Sequence, residues 1–220
     1  MHLSPSRIAK LFPRAPADHV PALAERSAEL LDRYRIARTP ARLNFFLAMI
    51  GLESNGLADL EEELAHSAVR LTQLFPGQFA TVAAARPAAR HPAFLAERLY
   101  GGQLGNGPEG AGDGWRYRSR GYLRLSGRDT YAAVAEAADL DLVGEPDLVT
   151  APATALQAAC ALWSWRGLNA VADTGSLDKA ARRLRGGSEA IGDAEAWLAK
   201  IRRVLAEPDD EAGGLLGIAA

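Results

Sequence analysis

The segment TPARLNFFLAMIGLESNG occupies residues 39–56 and sets a pattern that recurs along the chain. Threonine followed by proline at Thr39-Pro40 is a helix start, because threonine caps and proline favours the first helical position. Apolar residues at positions 43, 46, 47 and 50 then recur at spacings of three and four, which is one helical face. Asn55-Gly56 breaks the pattern directly after Glu53. The segment therefore predicts an apolar helix with a glutamate in its last turn.

Similar signals predict helices over residues 18–35, and after Thr150-Ala151-Pro152, Ser176 and Asp193. Strict alternation, the signature of a half-buried strand, is absent beyond a few residues, and Tyr117–Leu125 comes nearest to it. We predict a mainly α fold with little or no sheet. A single domain is expected over residues 1–206, followed by an acidic, glycine-rich flexible tail over residues 207–220.

Composition excludes several classes of protein. The chain has 220 residues, 48% of them hydrophobic and 24% charged, so it is long and apolar enough for a folded core. Cys160 is the sole cysteine, which excludes an internal disulfide framework. No apolar run is long enough to insert in a membrane, and the net charge of −2 does not favour nucleic-acid binding. No secretory leader is recognisable at Met1, so we expect synthesis in the cytoplasm.

A glycine-rich segment at residues 101–127 holds nine of the 21 glycines, which argues against a helix there and for a long structured loop. Aromatic and arginine side chains alternate within it, as suits either a sugar or a nucleic acid. These residues are Trp115, Tyr117, Tyr122, Arg116, Arg118, Arg120 and Arg124.

Glu53 is the first candidate for chemistry. An acid at the carboxyl end of a helix meets the negative end of the helix dipole, which disfavours its ionised form, as a general acid requires. The alternative is a glutamate that faces solvent and only tolerates this position.

A second acid could come from the run Asp59-Leu60-Glu61-Glu62-Glu63. The alternative is an acidic first turn of the following helix. On one continuous helix Glu53 and Glu62 would lie on opposite faces, about 13 Å apart along the axis. A turn at Asn55-Gly56 would instead allow about 6.5–9.5 Å, the separation found in inverting glycosidases.

Metal and cofactor motifs are not found. The four histidines have no ligand spacing, and neither a phosphate-binding loop nor a nucleophile elbow is present. We therefore expect no metal site and no cofactor.

Several stretches, taken in order, carry a family resemblance: FLAMIGLES (46–54), EELAHSA (62–68), LYGGQLGNG (99–107), GDGWRYR (112–118), LSGRD (125–129) and Gly186-Gly187. Together they resemble the bacterial and phage branch of glycoside hydrolase family 19, chitinase-like lysozymes and endolysins. The resemblance spans residues 3–205 and implies a two-lobed, lysozyme-like helical fold with a central cleft and no cofactor.

The resemblance also implies roles. Glu53 takes the general-acid position, Glu62 the position of the base that activates water, and Ser126 the position that helps hold that water. It favours Arg118 and Arg120 as support that faces inward. We further expect glycan contacts or support from Trp115, Tyr117, Arg118, Arg120, Tyr122, Arg124 and Arg185.

Departures from the family pattern surround these acids. They are Leu52, Ala65-His66, Arg124, Thr130, Arg185 and Ala194, where the family has histidine, asparagine-tyrosine, glutamine, asparagine, asparagine and arginine. Arg124 and Arg185 are candidates to supply the charge lost at Ala194.

The function implied is an endolysin-type hydrolase that cleaves β-1,4 bonds of peptidoglycan or a chitin-like polymer with inversion. It would act as a monomer, on the wall, after release by a separate route. Two alternatives stay open: a catalytically weak or silent glycan-binding descendant, and a lytic transglycosylase that uses one acid.

Overall fold

A computed structural model describes residues 2–185 and 191–209, with no side-chain description at 191 and 192. Helices dominate this part of the chain. They are α1 (Pro5–Leu11), α2 (His19–Arg33), α3 (Pro40–Glu53), α4 (Ala68–Leu74), α5 (Val82–Ala85), α6 (Pro92–Tyr100), α7 (Asp113–Arg116), α8 (Arg128–Ala138), α9 (Pro152–Trp165), α10 (Leu168–Asp173), α11 (Leu177–Arg185) and α12 (Ile191–Ala206).

The described residues contain no strand beyond isolated bridges, in which Arg120 pairs with Glu61 and with Leu125. The prediction of a mainly α fold is therefore confirmed. One detail of the glycine-rich segment is wrong: α7 forms a single helical turn inside it. Four residues are enough for one turn, so glycines on either side do not prevent it.

Side-chain caps explain several of the helix starts. The Thr39 hydroxyl accepts a hydrogen bond from the Arg42 amide at 3.3 Å, so α3 begins at Pro40 as predicted. Ser176 caps α11 in the same way, accepting from the Lys179 amide at 3.3 Å. One start differs from the prediction, because Ala151, not Thr150, precedes α9. Asp193 lies within α12, and residues 186–190 before that helix are outside the described residues.

Two compact units divide the described residues. The first unit takes its residues from Met1–Leu60, Gly121–Leu123 and Leu148–Ala220. Its helix α3 is buried on nearly all sides from Leu43 to Gly51, and α9 is buried over Ala155–Trp163. Phe46 and Trp163 join these helices edge to face, with ring centroids 5.4 Å apart. A helix that is apolar all round forms the centre of a core.

The second unit comprises Glu61–Arg120 and Arg124–Asp147. One apolar cluster of this unit joins the segment before α4 to the helices α4, α5 and α6. Its buried members are Leu64, Leu71, Phe79, Ala85, Ala88, Leu95 and Ala96. This cluster anchors both the chain that follows Glu62 and the helix that ends at Tyr100.

Some sequence features lie outside the described residues. They are Met1, the Gly186-Gly187 motif and residues 210–220 of the predicted tail. Within the described ranges, no helix combines the length and apolarity that a membrane span requires.

Candidate active site

The chain turns back sharply after Glu53, the last residue of α3. The buried Ser54 hydroxyl donates to the Ile50 carbonyl at 2.6 Å and accepts from the Leu57 amide at 2.9 Å. Asn55, Gly56 and Leu57 all have positive φ, at 51°, 70° and 67°. Three left-handed residues in a row end a helix abruptly. The helix break predicted at Asn55-Gly56 is therefore confirmed.

Glu53 meets a cation from another helix of the same unit. Its Oε1 accepts a hydrogen bond from Nε of Arg185, the last residue of α11. The Glu53 side chain is 8% exposed, so the alternative of a solvent-facing glutamate is wrong. A guanidinium in contact favours the ionised carboxylate and therefore opposes the helix-dipole effect expected from sequence.

Close packing against α12 positions the end of α3. The Trp197 ring lies so near Gly51 that an added Cβ would stand 2.4 Å from ring atom Cε3. At Gly56 the corresponding distance, to ring atom Cη2, is 2.8 Å. Only glycine leaves room for the indole at these two positions. The backbone on either side of Glu53 is thus held by a ring from α12.

Glu62 lies in the second unit, in an extended segment. The next helix, α4, begins only at Ala68 with Ser67 as its cap, so the alternative of an acidic first turn is wrong. The Glu62 amide donates to the Ser119 carbonyl at 3.1 Å. This backbone contact places Glu62 beside the glycine-rich segment.

Two donors hold the Glu62 carboxylate. The Tyr100 hydroxyl donates to Oε2 at 2.5 Å, and the Ser119 amide donates to Oε1 at 2.7 Å. Burial raises the pKa of Glu62 above its ordinary value, and these two hydrogen bonds and the charges of Arg124 and Arg118 oppose that rise. The carboxylate is therefore fixed in orientation, and its charge state depends on its neighbours.

Tyr100 was not among the residues predicted for the site. Burial and the charge of Glu62 raise the pKa of Tyr100 strongly, so its hydroxyl keeps its proton and acts as a donor. The sequence signal available was its place in the stretch LYGGQLGNG, which carries the family resemblance. Nothing in that stretch points to Glu62, which lies 38 residues away.

Trp115 and Arg118 form a partly exposed surface of the second unit. The Arg118 guanidinium lies 3.9 Å from the Trp115 ring centroid and also donates to Glu61 at 2.7 Å. Trp115 is 37% exposed. Both residues line a cavity of about 500 Å³ that Arg116 and Asp147 also border.

Tyr117, Arg120 and Tyr122 are buried. Tyr117 donates to the Val143 carbonyl at 3.2 Å, and Tyr122 shares a 2.7 Å hydrogen bond with His19. Arg120 is 1% exposed and donates to the Tyr131 hydroxyl at 3.1 Å, to Asp147 and to the Arg116 carbonyl. Each of these polar groups is satisfied inside its own unit.

Ser126 and Arg124 are neighbours in the second unit. The Ser126 hydroxyl donates to the Arg124 carbonyl at 3.3 Å, and the charge of Arg124 lowers the pKa of Glu62. Of the two arginines considered as substitutes for a lost cation, Arg185 therefore acts on Glu53 and Arg124 on Glu62. Ala194 itself is fully buried in α12. The described residues include no cluster of three or more His, Cys, Asp or Glu that could hold a metal ion.

A curated relative from Haemophilus influenzae is 36% identical over 166 residues, which cover 76% of this chain and 79% of the relative. It is described as a glycosyl hydrolase family 19 domain-containing protein. The chain belongs to glycosyl hydrolase family 19. No protein-family model matches it.

Solved structures agree on the fold of this family 19 chain. Chitinase C from Streptomyces griseus HUT6037 superposes with a TM-score of 0.58 at 20% identity, covering 94% of this chain and 79% of the chitinase. Another bacterial family 19 chitinase superposes with a TM-score of 0.52 at 18% identity, covering 92% of each chain. The helical, lysozyme-like fold is therefore that of family 19 chitinases.

Proposed function

We propose that this family 19 chain is a cell-wall glycan hydrolase that cleaves β-1,4 bonds of peptidoglycan by inverting acid–base catalysis. Glu53 is the general acid and Glu62 is the base that activates water.

The observation that carries the proposal is the setting of Glu62. A general base needs a fixed carboxylate, and the Tyr100 hydroxyl and the Ser119 amide hold one oxygen each. Burial raises the pKa of Glu62, which makes its ionised form a stronger base than an exposed glutamate. A glutamate on the surface without a function is typically exposed, whereas Glu62 is partly buried and accepts hydrogen bonds from two donors.

Glu53 can donate a proton only from its protonated form. The contact with Arg185 favours the opposite form, so the acid must take up a proton, or lose the contact, when the glycan binds. Exclusion of water by a bound sugar ring would act in that direction, because desolvation disfavours the carboxylate. Arg185 is therefore proposed as the residue that orients Glu53.

Trp115 and Arg118 are proposed as glycan contacts, since a partly exposed ring can stack on a sugar face beside guanidinium donors. Tyr117 and Arg120 are proposed as support for this surface because they are buried in the same unit. Tyr122, which is buried in the first unit, is proposed as support within that unit. Ser126 is proposed to help hold the attacking water, and Arg124 to stabilise the charge of Glu62.

Zymography on purified walls, with mass spectrometry of the products, tests the proposal. Glu53→Gln should abolish lysis without unfolding, since positioned acid–base groups contribute about 10²–10⁴-fold each. Glu62→Gln should reduce the rate of lysis nearly as much. Glu63→Gln is the matched control, because that neighbouring glutamate is exposed and should be near neutral.

Other outcomes would identify the alternatives. A parent protein that sediments with walls but clears none would be a silent glycan-binding descendant. Anhydro products that persist in Glu62→Gln would indicate a lytic transglycosylase. NMR detection of the product anomer decides between inversion and retention.

A further inference from the structure

A cavity of about 590 Å³ opens in the first unit between α12 and the end of α3. Leu52 and Asn55, which flank Glu53 along the chain, form one side of it, and α12 forms the other. The residues contributed by α12 are Asp193, Ala196, Trp197 and Lys200. The volume lies within the range of pockets that hold small organic groups.

One wall of this cavity is apolar and rigid. The Trp197 ring packs against Gly51 and Gly56 so closely that it has no room to move toward α3. Leu52 and Ala196 extend the apolar surface beside the ring. Such a wall fits the aliphatic part of a side chain rather than a hydroxyl-covered sugar edge.

Charges of opposite sign lie on the same lining. Lys200 and Asp193 both line the cavity, and the Lys200 ammonium lies 4.9 Å from the Trp197 ring centroid. Burial and the charges of Arg203 and Arg14 lower the pKa of Lys200, and an anion bound beside the ammonium would oppose both effects. Arg14 is anchored nearby, donating to the Asn55 carbonyl at 3.0 Å.

A ligand that satisfies this lining carries a carboxylate for Lys200, an ammonium for Asp193 and a short aliphatic chain for Trp197. A diamino-acid residue in a peptide has all three. The peptide stem of peptidoglycan supplies such a residue beside the glycan, whereas fully acetylated chitin has neither a carboxylate nor an ammonium.

We propose that this cavity is a subsite for the peptide stem of peptidoglycan, and that Lys200, Asp193 and Trp197 make the chain prefer peptide-bearing glycan over chitin. The inference rests on the proposed function for its substrate class. Glycan chemistry takes place at Glu53, and the cavity adds recognition of the substituent next to it.

Binding of two defined probes to the full chain tests the inference. The probes are a disaccharide muropeptide whose stem ends in a diamino acid, and the same disaccharide without peptide. Calorimetry should show tighter binding of the muropeptide. Lys200→Gln should weaken muropeptide binding about tenfold and leave the peptide-free disaccharide unchanged, as expected for loss of one charge-assisted hydrogen bond.

Asp193→Asn is the second variant. It should weaken binding of the muropeptide but have no effect once the free amine of the stem is acetylated. Lys179→Gln and Asp32→Asn are the matched controls, because Lys179 and Asp32 are exposed and do not line the cavity. Both controls should bind as the parent does.

The inference would be overturned if the parent bound the two probes with equal affinity. It would also be overturned if Lys200→Gln lost the same amount of affinity for both probes. Failure of the proposed function is a separate result. A chain that binds muropeptide in this way but cleaves no wall retains the subsite and is not a hydrolase. A chain that cleaves peptide-bearing and peptide-free glycan with equal kcat/KM is a hydrolase without this subsite.

Discussion

Arg185 at the end of α11 donates to the carboxylate of Glu53 at the end of α3, across 132 residues of sequence. A cation on α11 and the acid that ends α3 are thus joined inside the first unit. The family pattern places an arginine that supports the base at the position of Ala194, which is fully buried here. Arg185 contacts the candidate acid, so it does not restore that support of the base.

Removal of that cation should slow lysis. In Arg185→Gln the Glu53 carboxyl loses the side-chain contact that orients it, so kcat should fall because the acid is less well positioned. The measurement is kcat and KM on solubilised wall.

Arg182→Gln is the control for this change, since Arg182 lies on the same helix and pairs with Asp178 instead. Its kcat should match that of the parent. A kcat in Arg185→Gln equal to that of the parent would show that the contact has no part in positioning the acid.

Deletion of the Tyr100 hydroxyl should move the acid limit of the pH profile of activity. Glu62 must be ionised to act as a base, so activity is lost as pH falls through its pKa, which burial raises above the ordinary value. The hydrogen bond from Tyr100 lowers that pKa. Tyr100→Phe should therefore raise the pKa of Glu62 further and shift the acid limb of kcat/KM to higher pH.

Tyr34→Phe, which deletes a hydroxyl in the first unit, should leave the acid limb in place. An acid limb in Tyr100→Phe that is unchanged, or that moves to lower pH, would exclude Glu62 as the titrating base.

Gly51→Ala should destabilise the first unit. The new Cβ would lie 2.4 Å from the Trp197 ring, and overpacking of this kind costs about 1–3 kcal/mol. The better helix propensity of alanine offsets only about 1 kcal/mol of this cost, so the free energy of unfolding should fall. Urea denaturation measures it.

Gly77→Ala is the matched control because nothing lies within 4 Å of its added Cβ. It should be close to neutral. A Gly51→Ala protein as stable as the parent would mean that Trp197 does not pack against α3 in solution.

Arg120→Ala should lower the free energy of unfolding far more than Asp147→Asn, which alters its acidic partner. Arg120 is 1% exposed, and its removal leaves a cavity and unsatisfied groups at Tyr131 and Arg116, at about 2–4 kcal/mol. The Asp147 side chain is 82% exposed, so Asp147→Asn should cost under about 1 kcal/mol. Thermal and urea unfolding of the two variants would compare them, and equal losses would contradict the buried role of Arg120.

Features that depend on near neighbours could be predicted from the sequence. The start of α3 follows from Thr39 and Pro40, and its end follows from Asn55 and Gly56, because caps and left-handed residues act within one turn. The mainly α fold follows from several such segments together. Family motifs added the two acids as candidates.

Long-range contacts could not be predicted. Whether Glu62 lay in a helix or in an extended segment depended on its pairing with Ser119, and only the folded chain decided it. The same holds for the hydrogen bond from Tyr100 to Glu62 and for the packing of Trp197 against Gly51. No local pattern marks residues that meet across many positions of sequence.

The sequence by itself therefore determined the helical class, the place where α3 stops and the identity of the two candidate acids. Tertiary structure alone decided the surroundings that set their charge. Glu53 contacts Arg185, while Glu62 is partly buried and bonded to Tyr100, and its burial raises its pKa. Helix signals depend on residues three or four apart, whereas the charge state of an acid depends on solvent and on every charge that folding brings near it.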